Sequence, residues 1–282
     1  MKNPLLRLRE MQGYVGSAEK MVAERILNDP NIVIEKGVRE LAKEVYVSPA
    51  TIVRLAQHLG FDGYKEFRQA VLYEMAQYNG KQIDTSDSIR KDDTIKMIIN
   101  KTTNKNVVTL QETQKLLDID RVEACTKLIA DARSLRMFGM GASLCVAEDA
   151  YLKFLRVNKL CLIAQDWHSQ YLIAKNSQPE DVAIFISYSG ETSEMIKCLE
   201  AVNLNHTPSI LITRFAPSTM SKMADQVLYT PASESLFRSG ATSSRIAQLN
   251  IVDILFTAYA TANYDYCMSQ INSTHIEKRS ES

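Results

Sequence analysis

The sequence predicts an α/β protein in two parts: an N-terminal all-α helix-turn-helix domain and a C-terminal α/β domain with a five-stranded parallel sheet flanked by helices. Three observations predict this. Periodic segments before residue 80 all have helical spacing. Residues 79–93 are polar and aperiodic. From residue 135 onward, short and nearly continuous apolar runs alternate with amphipathic helices, the pattern of a parallel sheet covered on both faces. The expected boundaries are 1–80 for the first domain, 81–93 for the linker, 94–272 for the second domain and 273–282 for a polar tail. A length of 282 residues accords with more than one core.

Composition narrows the class of function. With 45% hydrophobic and 23% charged residues the chain is neither disordered nor fibrous. No stretch reaches the roughly 18 apolar residues of a membrane span, and Met1–Glu10 carries charges where a signal peptide is apolar, so a cytoplasmic protein with no membrane partner is expected. Thirty-three basic and thirty-three acidic residues cancel, so any polyanionic partner must be met by a local patch. The five cysteines (Cys125, Cys145, Cys161, Cys198, Cys267) are odd in number and never in Cys-x-x-Cys pairs. They read as buried thiols in a reducing compartment, with no metal and no cofactor implied.

The elements follow in order. Ser17–Leu27 places Met21, Val22 and Ile26 on one face of a helix stopped by Asn28, Asp29 and Pro30. Val38–Val45 is a short helix burying Leu41, Ala42 and Val45. Ser48 followed by Pro49 starts a third, since the Ser hydroxyl accepts from an orphan amide and Pro at the first turn loses no hydrogen bond. Its apolar set Ile52, Leu55, Ala56 and Leu59 follows i, i+3, i+4, i+7, and Gly60 ends it. Phe61, Gly63, Tyr64 and Phe67 open a fourth, to about Tyr78. After the linker come helices Ile95–Leu117 and Arg121–Ala130. Strands are expected at Leu135–Phe138, Leu160–Ala164, Val182–Ser187, Ser209–Thr213 and Gln226–Tyr229, with helices Ser143–Arg156, His168–Lys175, Thr192–Asn203 and Ser243–Asn263.

Two short helices joined by a tight turn, the second well capped, form a helix-turn-helix whose second helix enters the major groove. Opposite its apolar stripe lie Thr51, Arg54, Gln57 and His58, side chains that exchange hydrogen bonds with base edges; Arg54 suits the bidentate guanine contact. Ser48, Lys65 and Arg68, with Arg39 and Lys43, flank it toward phosphates. Residues 1–80 hold 11 Lys and Arg against 10 Asp and Glu, so charge alone does not choose between this reading and a small dimerising bundle.

Two loops suggest phosphate binding. Gly139-Met140-Gly141-Ala142-Ser143 joins an apolar strand to a helix, but Leu144 stands where a dinucleotide fingerprint has its third Gly, which disfavours NAD. Ser187-Tyr188-Ser189-Gly190-Glu191-Thr192 sets three hydroxyls around a glycine at another helix start, a neutral cup without a P-loop lysine. Both sit at carboxyl ends of parallel strands, where open α/β sheets bind ligands. Helix capping explains one such loop easily and both poorly.

These residues resemble a family. Gly139-x-Gly141-x-Ser143 with Ser187-x-Ser189-Gly190-x-Thr192 is similar to the SIS (sugar isomerase) domain, and Ser48-Pro49, Arg54, Leu59-Gly60-Phe61, Gly63-Tyr64 and Phe67-Arg68 resemble the RpiR-type helix-turn-helix. Ser243–Leu249, opening the last long helix, also resembles that family's sugar- and dimer-contacting helix. The resemblance implies a bacterial transcription regulator, with a sugar phosphate on Ser143, Ser187, Ser189 and Thr192. His168 and Glu180 are candidates for the sugar, and Arg214, Glu234 and Arg238 are weaker ones. Where relatives carry Thr-x-Asn, this chain has Thr213 followed by Arg214, Phe215, Ala216 and Pro217, a cation that favours an acidic or more heavily substituted ligand.

SIS domains also serve isomerases and lyases, for which His168, Glu180 and Glu234 are acid–base candidates. An attached helix-turn-helix argues instead that ligand binding is itself the output, with no catalytic residue. The expectation is a homodimeric repressor of a sugar or amino-sugar operon, bound to a near-palindromic double-stranded operator and governed by a phosphosugar, with N-acetylmannosamine 6-phosphate first among candidates.

Overall fold

The computed structural model describes residues 3–11, 15–77, 90–231 and 242–275. Two compact units result: one of residues up to Leu116, the other comprising Leu117–Thr230 and 242–275.

The first unit holds helices α1 (Pro4–Met11), α2 (Ser17–Asn28), α3 (Asn31–Glu35), α4 (Val38–Glu44), α5 (Pro49–His58), α6 (Tyr64–Gln77) and α7 (Ile95–Leu116). Leu8, Val22, Ile26, Ile32, Val33, Leu41, Ile52, Leu55, Leu59, Phe67 and Val71 form its core. Met21, expected to face inward, is exposed; the inner stripe of α2 is Glu19, Val22, Ala23 and Ile26, at i, i+3, i+4 and i+7. α5 starts as read, with Ser48 Oγ accepting from the Thr51 amide at 3.2 Å. It ends in a Schellman motif: Phe61 N–H donates to Ala56 O, Gly60 N–H donates to Gln57 O, and Gly60 sits at φ +84°. In the α4–α5 turn Tyr46 takes φ +55°, with its side chain almost wholly in water.

α7 was expected to open the second domain but groups with the first unit. Its buried Thr109, Glu112, Thr113 and Leu116 explain this, as do an ion pair from Arg9 to Glu112 and a 2.7 Å bond from Asn3 Nδ2 to Lys115 O. α1 and α3 were not anticipated, being too short for periodicity to declare them.

The second unit comprises α8 (Ile119–Asp131), β1 (Leu135–Gly139), α9 (Ala142–Arg156), β2 (Cys161–Leu162), α10 (Trp167–Lys175), β3 (Val182–Ile186), α11 (Ser193–Leu204), β4 (Ser209–Arg214), α12 (Thr219–Met223), β5 (Gln226–Thr230), α13 (Thr242–Ala262) and α14 (Tyr264–Ser273). The five strands are all parallel, in order β2-β1-β3-β4-β5. Side chains alternate across the sheet. Leu135, Met137, Val182, Ile184, Ile186, Ile210, Ile212 and Leu228 pack under α8, α9 and α13, while Phe138, Ala183, Phe185, Leu211 and Val227 pack under α10, α11 and α12. β2 is two residues long where five were expected; it lies at the sheet edge, with Leu160 and Leu162 exposed. α14 reaches Ser273, so the start of the expected polar tail is helical; 276–282 lie outside the described residues.

Asp181 ties together the amino ends of the strands. Fully buried, it accepts from Ser134 Oγ (2.7 Å), Arg136 Nε (2.8 Å), the Gln178 amide (2.9 Å) and Arg133 Nη2 (3.1 Å). Burial pushes its carboxyl up, but the four donors outweigh that and hold it below the usual carboxylate range.

Candidate functional site

On α5, Arg54, Gln57 and His58 face water, as do Ser48 before it and Lys65 and Arg68 on α6. Thr51 does not: it is buried, with its hydroxyl 2.9 Å from Ser48 Oγ. One position before Ile52, it lies on the flank of the apolar stripe and completes the cap, which removes it from the base-reading set. Arg68 keeps its exposure while donating to Ile34 O.

The sequence did not disclose Glu19. It sits on α2 with its side chain 4% exposed and uses both carboxylate oxygens on α5. Oε1 accepts from Arg54 Nε at 2.5 Å, and Oε2 lies 3.2 Å from His58 Nδ1. The one available signal was its place in the stripe with Val22, Ala23 and Ile26, where an apolar residue belongs.

In the second unit the strand order reverses direction between β1 and β3, and both serine loops lie there. One follows β1 and opens α9; the other follows β3 and opens α11. The crevice at the carboxyl ends of such strands is where open α/β sheets hold ligands. Gly141 caps α9 at φ +56° with open space where a side chain would stand. Gly190 sits at φ +65° with Ser218 Oγ only 2.3 Å from where a Cβ would fall. Thr192 caps α11 without a side-chain bond. Ser189 Oγ accepts from the Glu191 amide at 3.2 Å. Helix capping therefore leaves the hydroxyls of Ser143 and Thr192 unused among the described residues.

Several polar atoms at this edge are buried without a hydrogen-bond partner among the described residues: Ser187 Oγ in the second loop, Trp167 Nε1 at the start of α10, and Ser243 Oγ and Gln248 Nε2 in the first two turns of α13. Neighbouring groups brace the loops. Gln170, fully buried on α10, accepts from the Gly139 amide (3.2 Å) and donates to Gly139 O (3.0 Å). The Glu191 carboxylate accepts from Thr219 N at 2.7 Å and Thr219 Oγ1 at 2.8 Å. Sequence reasoning missed both braces, since their partners lie 28 to 31 residues away.

His168, exposed in the first turn of α10, stands on the carboxyl side with the loops. Glu180 does not. It precedes β3, where its carbonyl accepts from the Arg133 amide at 2.7 Å, so the length of the strand separates it from the serine cup. Arg214 ends β4, its guanidinium 5.7 Å from the centre of the Tyr188 ring and its amide donating to Tyr188 O at 3.2 Å. Glu234 and Arg238 lie outside the described residues. Cys145 is exposed and Cys161 half-buried, against the expectation of five buried thiols; burial pushes Cys125, Cys161 and Cys198 up to about 12. Among the described residues no three His, Cys, Asp or Glu side chains converge as a metal site, and no helix is long and apolar enough to cross a membrane.

The family description of a helix-turn-helix domain of the rpiR family matches residues 2–78, and that of the SIS domain matches residues 128–258. An HTH-type transcriptional regulator of Caldanaerobacter subterraneus is 32% identical over 97% of this chain and 96% of its own. The chain belongs to the rpiR family of HTH-type transcriptional regulators. Within the family, YbbH of Bacillus subtilis is 31% identical over 95% of this chain and 94% of its own. RpiR of Escherichia coli K12 is 27% identical over 96% and 90%. Among solved structures, the Vibrio vulnificus NanR protein complexed with ManNAc-6P is similar to it with a TM-score of 0.60 and 25% identity, covering 96% of each chain. The sugar isomerase domain of an RpiR transcription factor from Sphaerobacter thermophilus shares the fold of the second unit, with a TM-score of 0.57 and 17% identity over 62% of this chain and 97% of its own.

Proposed function

We propose that this regulator is a cytoplasmic repressor that binds a near-palindromic operator as a homodimer and is released by N-acetylmannosamine 6-phosphate. The observation that carries the ligand half is the set of unsatisfied polar atoms around two serine loops at the topological switch point. A buried hydroxyl without a partner costs about 1–3 kcal/mol, a cost a site accepts when a ligand completes it. Phosphate oxygens accept from Ser143, Ser187, Ser189 and Thr192, while Gly141 and Gly190 keep side chains out of the way. His168 serves the sugar, and Glu180 is dropped because of its place at the other edge. The likeness to NanR, described with ManNAc-6P, supports this choice of sugar.

Arg54, Gln57 and His58 read bases, and Ser48, Lys65 and Arg68 meet phosphates. The dimer presents two recognition helices about one DNA turn apart, roughly 34 Å. Sugar and operator are then linked by a coupling on the order of 1–3 kcal/mol. The regulator acts as a binding switch and not as an isomerase, because an attached helix-turn-helix makes ligand binding itself the output.

A thermal-shift screen against a panel of sugar phosphates is the test. N-acetylmannosamine 6-phosphate should raise the melting temperature by mass action and, titrated into protein bound to DNA upstream of its own gene, should release it. A different sugar giving the shift would replace the effector. A panel with no hit would remove the ligand half.

A further inference from the structure

A carboxylate held 96% out of water in a small helical unit needs an explanation, since burying an ion is costly unless it is paired. Glu19 is paired, but with two side chains that are themselves half in water: Arg54 is 57% and His58 49% exposed. The pairing is also one-sided. Glu19 takes Nε of Arg54 and Nδ1 of His58, the atoms nearer the protein, and leaves the outer atoms, Nη1 and Nη2 of Arg54 and Nε2 of His58, without a partner among the described residues.

Guanidinium geometry gives this a consequence. An arginine gripped through Nε cannot swing about its last torsions, and its two terminal nitrogens become a fixed fork. A fork pointing from a recognition helix matches O6 and N7 of guanine in the major groove. The entropy of ordering a long side chain is then lost on folding, before DNA arrives, which is how preorganisation raises affinity.

We infer that Glu19 is a positioning residue of the DNA-reading surface, which presents the Arg54 fork to a guanine in each operator half-site. This rests on the DNA-binding reading above and goes further by naming the residue that aims the reader. Glu19 itself touches no DNA: a carboxylate facing the duplex would be repelled, and burial keeps it behind Arg54.

The test pairs a protein change with a base change. DNA from upstream of the gene is synthesised with single guanines replaced by 7-deazaguanine, which lacks the N7 acceptor. Wild type should lose about tenfold in affinity at one guanine per half-site and little elsewhere. In Glu19→Gln, which keeps size and one acceptor but loses the charge, binding to unmodified DNA should fall and that same replacement should cost less than threefold, a coupling that a uniform loss of stability cannot produce. Glu19→Asp, with its carboxylate restored one methylene short, should recover part of the discrimination. Melting curves for each variant separate unfolding from misaiming. Equal losses at the sensitive guanine in wild type and Glu19→Gln would overturn the inference, as would wild-type binding with no sensitive guanine. Failure of wild type to bind any upstream fragment would instead strike the underlying DNA-binding reading, and the inference with it.

Discussion

Single residues carry conformational costs in both units. Gly190 holds φ +65° with Ser218 Oγ where a Cβ would go, and Ser218 in turn caps α12 by accepting from Ser221 N at 3.1 Å. Gly190→Ala should therefore cost about 1–2 kcal/mol in backbone strain and about 1 kcal/mol more in the disturbed cap. Denaturant melts read that cost directly, and calorimetric titration with the sugar phosphate should show a loss of binding beyond it. Tyr46 invites the opposite change. It bears the same left-handed strain, and its ring makes no hydrogen bond or ring contact among the described residues. Tyr46→Gly should thus stabilise the first unit by about 0.5–1 kcal/mol after the added chain entropy of glycine is counted, a rise of a few degrees in thermal unfolding. An unchanged or lower melting temperature would mean that the Tyr46 ring packs against something in solution.

At the level of elements, the legible parts were those that depend on neighbours in sequence. α5 was readable to its cap because Ser48, Pro49, the apolar stripe and Gly60 all lie within thirteen residues, and the strands were readable as apolar runs between helices. Both serine loops were found as strand-to-helix junctions. What joins distant segments was not legible: Glu19 to Arg54, Gln170 to Gly139 and Glu191 to Thr219 are contacts between elements, and nothing in the sequence pairs residues that lie 28 to 35 positions apart. Glu180 was misplaced even though a parallel sheet that holds its ligand at the carboxyl ends already puts a residue just before β3 at the far end of the strand. Asp181 offers a sharp test at this scale. Its folded pKa lies below the unfolded value of about 3.9, so its contribution is complete above about pH 5 and fades as pH falls through the folded value. Asp181→Asn strands Arg136 in the core and should cost about 3–5 kcal/mol at pH 7, with a smaller difference from wild type at pH 3. Glu74 runs the other way: burial raises its carboxyl above the ordinary range even though it accepts from the Leu5 amide at 2.8 Å. Its folded state prefers the neutral form, so wild type should gain stability through this group as pH falls through the raised folded value toward the unfolded value of about 4.3, and Glu74→Gln should match or exceed wild type in urea melts at pH 7.

The whole chain divides into two compact units, each with a core of its own. Scanning calorimetry should resolve two transitions, and saturating sugar phosphate, at about 100 times Kd, should raise the stability of one of them by about 2.7 kcal/mol and leave the other in place. A single transition that moves as a whole would show that the units unfold together. The bonds around Asp181 set how the second unit yields. Four donors from two segments converge on one carboxylate at the amino ends of β1 and β3, while the carboxyl ends of the same strands finish in glycine and serine loops braced from α10 and α12 through Gln170 and Glu191. Amide hydrogens should therefore exchange along a gradient, slowest at Leu135 and Val182 and fastest at Gly141 and Gly190. On that expectation the sheet is a tuning fork, clamped at the stem by Asp181 and held more lightly at the tines, so that a ligand gripping the tines should quiet one end and leave the stem unmoved.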